Sequence, residues 1–281
     1  KVLPSRLRSF DAKMNEKRLP AGFETSVEQL LTEAESVEGH LTPREMRFLA
    51  LLAAVPTAEG GILEIGSFKG RSTSILARAA ALAGGETVHA VDPMTAPSET
   101  DPDLRGATDS LADFRRNIET MSVADRVELH QTFSYELAKT WDKPLRLLWI
   151  DGDHTYEGTR LDIEGFGPHL VDKGIVAMHD VLHEFDGGVR VMMEHVLLSP
   201  NFGACGFVGS IGWAQFLEDA NEAAKYRSLK LKLYKKLSRL IPLITLRKGE
   251  LSPQEKKQFK LWRTFVPHKE IRPQDWLDQV L

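Results

Sequence analysis

Residues 62–73, ILEIGSFKGRST, pass from a short apolar run through a glycine-containing loop into a helical pattern. The same order recurs along the chain, with later apolar runs TVHAV (87–91), RVELH (126–130), LRLLWI (145–150) and GIVAM (174–178). Helical patterns separate these runs at about 71–83, 109–121, 133–140, 156–169 and 186–198. Almost wholly apolar strands that alternate with helices favour a parallel sheet covered on both faces. The sequence therefore predicts an α/β fold with a doubly wound, Rossmann-like sheet.

A hairpin signal follows the alternating region. The segment CGFVGSIGWAQFLE (205–218) holds two short apolar runs around Gly209-Ser210, a pattern typical of two antiparallel strands joined by a tight turn. We therefore expect seven strands, mostly parallel, with an antiparallel hairpin strand at the C-terminal side of the sheet.

Helical segments flank this sheet. Residues 24–37 and 42–55 precede it, and Thr42, Pro43 and Glu45 form a helix-start signature for the second of them. After the sheet, residues 223–241 repeat apolar side chains at spacings of three and four. This pattern predicts one amphipathic helix that Pro242 ends.

The composition is that of a globular protein. Of 281 residues, 42% are hydrophobic and 27% charged, which excludes wholesale disorder. No apolar run approaches the roughly 20 residues needed to cross a bilayer. The single cysteine, Cys205, excludes an internal disulfide and a Cys-based zinc site, so we expect a cytoplasmic location.

The C-terminal region is basic. Residues 221–281 carry 15 Lys and Arg against 6 Asp and Glu, although the whole chain has a net charge of -4. We favour packing of this extension on the main domain, or on a second subunit of a homo-oligomer. Peripheral contact with a membrane surface is the alternative. The absence of an interleaved aromatic pattern argues against nucleic-acid binding.

The first strand leads into a candidate cofactor loop. Gly66 and Gly70 permit tight turning and close backbone approach, and Ser72 lies where the next helix opens. The spacing is GxxxG rather than GxGxxG, and many strand-to-helix turns need glycines for steric reasons alone. Asp92 ends the second strand, where a carboxylate can accept hydrogen bonds from ribose hydroxyls. Loop and acid together indicate a nucleoside-containing cofactor without identifying it.

Two later strands end in titratable side chains. LRLLWI delivers Asp151, followed by Asp153 and His154, and GIVAM delivers His179-Asp180. Neighbouring strands lie about 5 Å apart, so Asp151 and Asp180 can face one point and share either a divalent cation or a proton. His179 can add a ligand, and His154 can take a proton from a hydroxyl. Taken singly, Asp153 can also cap a turn and His154 can bond a backbone carbonyl.

With these motifs the sequence resembles class I S-adenosylmethionine-dependent methyltransferases, in particular the branch of macrocin-type and other sugar O-methyltransferases. The resemblance covers approximately residues 40–220. It is carried by LEIGSFKGRST (63–73), VDP (91–93), FRRNIETMSVADRVELHQTFSYE (114–136), IDGDHTYEGTRLDIEGF (150–166) and DKGIVAMHDV (172–181).

The resemblance implies a role for each matching position. The methionine end of the cofactor is expected near Glu64, Gly66, Ser67, Gly70 and Ser72. Asp92 is expected at the ribose, Ser134 near the adenine, and Asp151 beside the cofactor as well as in catalysis.

In the metal-dependent relatives, metal-ligand positions correspond to Asp151 and Asp180, and the proposed base corresponds to His154. His179 stands where some relatives carry a second acidic residue. A set of Asp151, His179 and Asp180 is thus expected for Mg²⁺ or another divalent cation, although histidine is a poorer ligand than carboxylate for Mg²⁺.

The function implied is methylation of a hydroxyl on a sugar or glycosylated small molecule, with the cation assisting. The alternatives are an NAD-dependent Rossmann oxidoreductase and a non-catalytic binding module that keeps the fold. We expect three regions, with the loop at 93–108 as a further lid over the acceptor. They are an N-terminal helical lid (1–58), a catalytic domain (59–220) and a basic helical extension (221–281).

Overall fold

The computed structural model describes residues 19–94, 110–244 and 251–281. Its seven strands are β1 (Gly61–Ile65), β2 (Val88–Val91), β3 (Val127–His130), β4 (Leu145–Ile150), β5 (Leu170–Met178), β6 (Phe202–Val208) and β7 (Ile211–Phe216). They form one sheet in the order β3-β2-β1-β4-β5-β7-β6. β7 runs antiparallel to both of its neighbours, and the other pairs are parallel. The predicted Rossmann-like sheet with a C-terminal hairpin is confirmed.

Helices cover the sheet and extend beyond it. They are α1 (Phe23–Ala34), α2 (Pro43–Ala54), α3 (Arg71–Ala81), α4 (Leu111–Thr120), α5 (Ser134–Leu137), α6 (Tyr156–Phe166), α7 (Asp186–Val191), α8 (Ala220–Ala224), α9 (Arg227–Leu237), α10 (Ile241–Ile244), α11 (Pro253–Arg263) and α12 (Pro273–Val280). A π-helical segment, Met192–Leu197, continues α7. None of the helices within the described ranges is long and apolar enough to span a lipid bilayer. The loop predicted as a lid falls largely on residues 95–109, outside the described residues.

Central strand β4 shows why its sequence is apolar throughout. All six of its residues are buried. Leu147 and Trp149 join one apolar cluster, whereas Leu148 and Ile150 join a second cluster. Successive side chains of a strand point to opposite faces, so helices must cover both sides of this sheet. The polar groups that follow β4 are therefore held at the edge of a rigid, fully covered sheet.

The N-terminal helices belong to the first of these clusters. α2 begins with the predicted capping box, in which Thr42 and Glu45 each accept a hydrogen bond from the other's backbone N–H, and Pro43 occupies its first turn. Phe48 of α2 packs near Trp213 of β7 and Trp276 of α12. The first helices and the end of the chain thus share one core with the sheet.

The single helix predicted at 223–241 is wrong. The chain forms α8, α9 and α10 instead. Pro242 lies within the first turn of α10, where a backbone N–H has no helical acceptor, so the proline costs no helical hydrogen bond. α9 buries Leu233 and Leu237 against the domain. Lys230 of α9 is also buried, and its Nζ donates to the backbone carbonyls of Ser199 (2.6 Å) and Phe202 (2.8 Å). α9 therefore packs on the main domain through Leu233, Leu237 and Lys230, whereas Leu229 and Leu231 of the same helix are exposed.

Candidate active site

Three neighbouring strands bring the candidate residues to one edge. Ile65 of β1 pairs with Ile150 of β4, and Ile150 pairs with Met178 of β5. The ladder continues one step further, because Asp151 N donates to Ile65 O (2.8 Å) and His179 N donates to Ile150 O (2.9 Å). Asp151 and His179 consequently lie side by side, as the sequence predicted for successive strand ends.

His179 lies at the centre of a carboxylate cluster. Its Nδ1 is 3.0 Å from Asp151 Oδ1 and 3.6 Å from Asp180 Oδ1, and its Nε2 is 3.8 Å from Glu45 Oε2. Burial disfavours the charged imidazole, but the carboxylates of Asp151, Asp180 and Glu45 outweigh it and hold the pKa of His179 well above its usual value. A positive charge on His179 is therefore stabilised by three neighbouring acids.

Glu45 is a member of this cluster that the sequence analysis treated only as a helix cap. Its Oε1 accepts hydrogen bonds from the backbone N–H (2.6 Å) and hydroxyl (2.8 Å) of Ser210, in the hairpin turn. Burial favours the neutral acid, yet the nearby His179 and hydrogen bonds from Thr42 and Ser210 hold the pKa of Glu45 well below its usual range. The Glu45 carboxylate thus connects α2 with the hairpin turn and lies beside His179.

Asp180 completes the charged group from a left-handed backbone conformation, with φ of 53°. Its Oδ1 accepts a hydrogen bond from the Ser210 hydroxyl at 3.2 Å. Burial opposes ionisation, but the imidazolium of His179 lowers the pKa of Asp180 below its usual value. Non-glycine residues in this conformation are uncommon and cluster at functional sites.

His154 lies at the more open side of the cluster. Its Nε2 is 3.8 Å from Asp180 Oδ2 and 4.0 Å from Asp151 Oδ1, and its side chain is 18% exposed. The ring stacks on Phe185, with centroids 4.9 Å apart and planes 11° apart. These separations exceed direct hydrogen bonds, so a hydroxyl or water can sit between the imidazole and the carboxylates. Phe185, which the sequence analysis did not single out, fixes the plane of this ring.

The glycine loop borders the same edge. Gly66 has φ of +83°, and a Cβ built on it would lie 2.2 Å from the backbone oxygen of Asp151. Asp92 braces the loop, since its Oδ2 accepts hydrogen bonds from the backbone N–H groups of Ser67 and Phe68, each at 2.9 Å. Its Oδ1 accepts a third, from Met94 N at 2.7 Å. The structure therefore brings together Gly66, Ser67 and Asp92 next to Asp151.

Glu64 lies fully buried beneath this loop. It accepts a hydrogen bond from the Thr73 hydroxyl, and its Oε1 has no partner among the described residues. Burial raises the pKa of Glu64 to about 7, and the neighbouring hydroxyls of Ser72 and Thr73 offset only part of that shift. Gly70 caps the start of α3 with φ of 87°, so the loop turns directly into the helix above Glu64.

Ser134 lies apart from the charged cluster, at the start of α5 after β3. Its hydroxyl donates to Asp162 Oδ1 of α6 at 2.5 Å. Burial raises the pKa of Asp162 to about 7. Asp162 was not identified from the sequence. It lies close to Gly152, just after β4, because a Cβ built on Gly152 would be 3.7 Å from Asp162 Oδ2.

We expect Glu64→Gln to flatten the pH dependence of stability. The native pKa of about 7 lies above the unfolded value of 4.5, so stability is full below pH 4.5 and falls as the pH rises through 7. The loss amounts to roughly 3 kcal/mol of unfolding free energy. Urea unfolding between pH 4.5 and 8 measures it. The exposed Glu119→Gln should keep the wild-type slope, and an unchanged slope in Glu64→Gln would contradict the assignment.

Comparisons with known proteins agree with this geometry. Residues 63–181 match the family model described as a methyltransferase domain. Among solved structures, an O-methyltransferase from Bacillus cereus in complex with SAH (S-adenosylhomocysteine) is 22% identical with a TM-score of 0.50, covering 68% of this chain and 90% of the other. The O-methyltransferase NovP is 15% identical with a TM-score of 0.51, covering 64% and 84%. Likeness at these identities shows a shared fold.

Proposed function

We propose that this protein, whose residues 63–181 match a methyltransferase domain, is a class I S-adenosylmethionine-dependent enzyme that methylates a hydroxyl of a sugar or glycosylated small molecule. The observation that carries the proposal is the position of His154. Its imidazole faces two carboxylates, Asp151 and Asp180, at the strand edge that also holds the glycine loop. A hydroxyl that enters between them meets a proton acceptor and stands beside the cofactor loop.

The first requirement of the reaction is alignment. The sulfonium methyl of S-adenosylmethionine is already activated, so the protein must hold the acceptor oxygen in line with the departing sulfur. Gly66 and Asp151 are in backbone contact range, because a Cβ on Gly66 would overlap the Asp151 carbonyl. A cofactor lying over this loop is therefore next to Asp151, and the acceptor approaches from the His154 side.

The second requirement is removal of a proton. As the acceptor oxygen bonds to the methyl carbon, the carbon–sulfur bond breaks and its electron pair stays on sulfur. The hydroxyl proton passes to His154 Nε2, and the new imidazolium is stabilised by Asp151 and Asp180, both within 4.0 Å. Stacking on Phe185 keeps the ring in the orientation that this transfer needs.

A divalent cation at Asp151, His179 and Asp180 does not form part of the proposal. His179 directs Nδ1 at Asp151 and Nε2 at Glu45, and within the described ranges Asp151, His179 and Asp180 are not a set whose ligand atoms all lie within 4.8 Å of one another. The imidazolium already supplies positive charge between the two aspartates. We therefore derive no step through a metal ion at this cluster.

The proposed acceptor class is a hydroxyl of a sugar or of a glycosylated small molecule. It is supported by the charged pair facing His154, which suits vicinal hydroxyls that can donate to carboxylates, and by the motif resemblance. The nicotinamide-dependent oxidoreductase is not favoured, because residues 63–181 match a methyltransferase domain. Membrane contact and a homo-oligomer through the basic extension stay predictions.

Two measurements test this function. Calorimetry measures the binding of SAH and NADH, and a methyl-transfer assay measures turnover before and after chelator treatment. We expect micromolar binding of SAH and no binding of NADH. We also expect methyl transfer to free hydroxyls of sugars or glycosylated compounds, with less than a twofold change in rate after chelator treatment. Catechols serve as the comparison acceptors. Loss of turnover on chelation, with recovery on adding Mg²⁺, would overturn the metal-free mechanism. Absence of SAH binding would overturn the function and favour a non-catalytic module.

A further inference from the structure

A second group of titratable side chains lies on β2 and β3. His89 Nδ1 is 3.1 Å from His130 Nε2 and 3.2 Å from Glu128 Oε2, and His130 Nε2 is 3.6 Å from Glu128 Oε1. These three residues are a set whose ligand atoms all lie within 4.8 Å of one another, and within the described ranges no other His, Cys, Asp or Glu set does so.

Strand register explains how the group forms. His89 pairs with Glu128, and Val91 pairs with His130, in the parallel ladder between β2 and β3. Val88 and Ala90 face the first apolar cluster, so His89 points to the opposite face of the sheet, which it shares with Glu128 and His130. β3 is the edge strand, and Glu128 is half exposed, so an ion has access from solvent.

We propose that His89, Glu128 and His130 bind a divalent transition-metal ion of the Zn²⁺ type, with a fourth position open to water. Two ligands at the Zn–N distance of about 2.0 Å and a tetrahedral angle lie about 3.3 Å apart. The two imidazole nitrogens are 3.1 Å apart, and each lies 3.2–3.6 Å from one of the two Glu128 oxygens. Two imidazoles and one carboxylate are a donor set that suits zinc. This inference is independent of the proposed methyl transfer.

The two imidazoles are prepared for an ion. Trp141 packs edge-on against both rings, with centroids 5.1 Å from His89 and 6.0 Å from His130, which restricts their rotation. Both rings are therefore held in place before an ion binds.

Lys143 provides a second test of the proposed metal site. Its Nζ is 3.4 Å from His89 Nε2 and 3.5 Å from Glu128 Oε2. A metal on His89 Nδ1 places the ring proton on Nε2, so the lysine must turn away, and its side chain is 48% exposed. The lysine therefore competes with the ion, and Lys143→Gln should tighten binding.

Cobalt binding to the full chain, prepared without a histidine tag and treated with chelator, tests the site. We expect one Co²⁺ per chain with the visible absorption of a tetrahedral complex, displaced by Zn²⁺. His89→Asn and the exposed Glu128→Gln should each weaken Zn²⁺ affinity at least tenfold, and Lys143→Gln should tighten it several-fold. Far-ultraviolet circular dichroism and urea unfolding report whether each variant is folded.

Asp151→Asn is the matched control for the other charged cluster and should leave cobalt absorption unchanged. Loss of the absorption in Asp151→Asn alone would place the ion at the strand-end cluster and overturn the inference. Affinity that is unchanged in Glu128→Gln, or wild-type protein that binds no Co²⁺ at 100-fold molar excess, would show that these side chains form only a hydrogen-bonded group.

Discussion

His154→Ala is expected to lower the kcat of methyl transfer by about 10²–10⁴-fold, the range typical of a lost general base. The affinity for SAH should stay within about threefold of wild type, because His154 contacts Phe185 and faces Asp151 and Asp180 rather than the glycine loop. Single-turnover rates and calorimetry on the same preparations separate the two effects. A fall in kcat without loss of binding is the signature of a group that acts only during transfer.

His183→Ala is the matched control. His183 stacks on the same Phe185, at 4.9 Å between centroids, but it is exposed and acts on the charged cluster through its charge near Asp180. The His183→Ala variant tests whether a loss of kcat arises merely from removing a ring that packs on Phe185. We expect His183→Ala to keep kcat within about threefold. If His154→Ala retained more than a tenth of wild-type turnover, or if His183→Ala lost as much, the assignment of His154 as base would be wrong.

The sequence could predict the sheet and its polar edge because both follow from local patterns. Apolar strands that alternate with helices admit few topologies, and the rule that ligands bind at carboxyl strand ends then selects Asp151, His154 and Asp180. Gly66 was identified for the same reason, and the structure supplies its cause, a backbone contact with Asp151.

Glu45 could not be predicted, because its second role depends on a partner 165 residues away. The capping box with Thr42 already explained a glutamate at that position, so the local sequence gave no reason to look for Ser210 or His179. Gly209 in the hairpin turn has φ of +62°, and a Cβ there would lie 2.4 Å from Glu45 Oε1. Only the folded hairpin shows that this glycine makes room for the carboxylate.

The prediction of a single C-terminal helix was wrong for a different reason. Apolar spacing of three and four residues continues through 223–241, and periodicity does not report where a helix is interrupted. The chain turns near Tyr226 and again after Leu237, because packing on the domain buries Leu233, Leu237 and Lys230 rather than one continuous stripe. Tertiary contacts therefore override a regular pattern, as is common for helices at the end of a chain.

Gly66→Ala is expected to destabilise the protein by roughly 2–5 kcal/mol and to abolish SAH binding. Alanine must adopt the left-handed conformation at φ of +83°, which costs about 1–2 kcal/mol. Its Cβ would also meet the Asp151 carbonyl oxygen at 2.2 Å, and overpacking of this kind costs about 1–3 kcal/mol. A Cβ cannot rotate away from its own backbone, and the oxygen that it meets is backbone, directly after β4. The clash is therefore relieved only by separating the ends of β1 and β4. That movement displaces Asp151 from His179 and tilts the loop that Asp92 braces.

Gly22→Ala isolates the conformational part of this cost. Gly22 has a similar φ of +72°, but the nearest atom to an added Cβ is Ser26 Oγ at 3.9 Å, which is ordinary contact. We expect it to lose only about 1–2 kcal/mol and to bind SAH as wild type does. Urea unfolding and SAH titration of both variants make the comparison. Equal destabilisation of Gly66→Ala and Gly22→Ala, or normal SAH binding by Gly66→Ala, would show that the loop can yield without moving Asp151, and the coupling between cofactor loop and strand-end cluster would then be disproved.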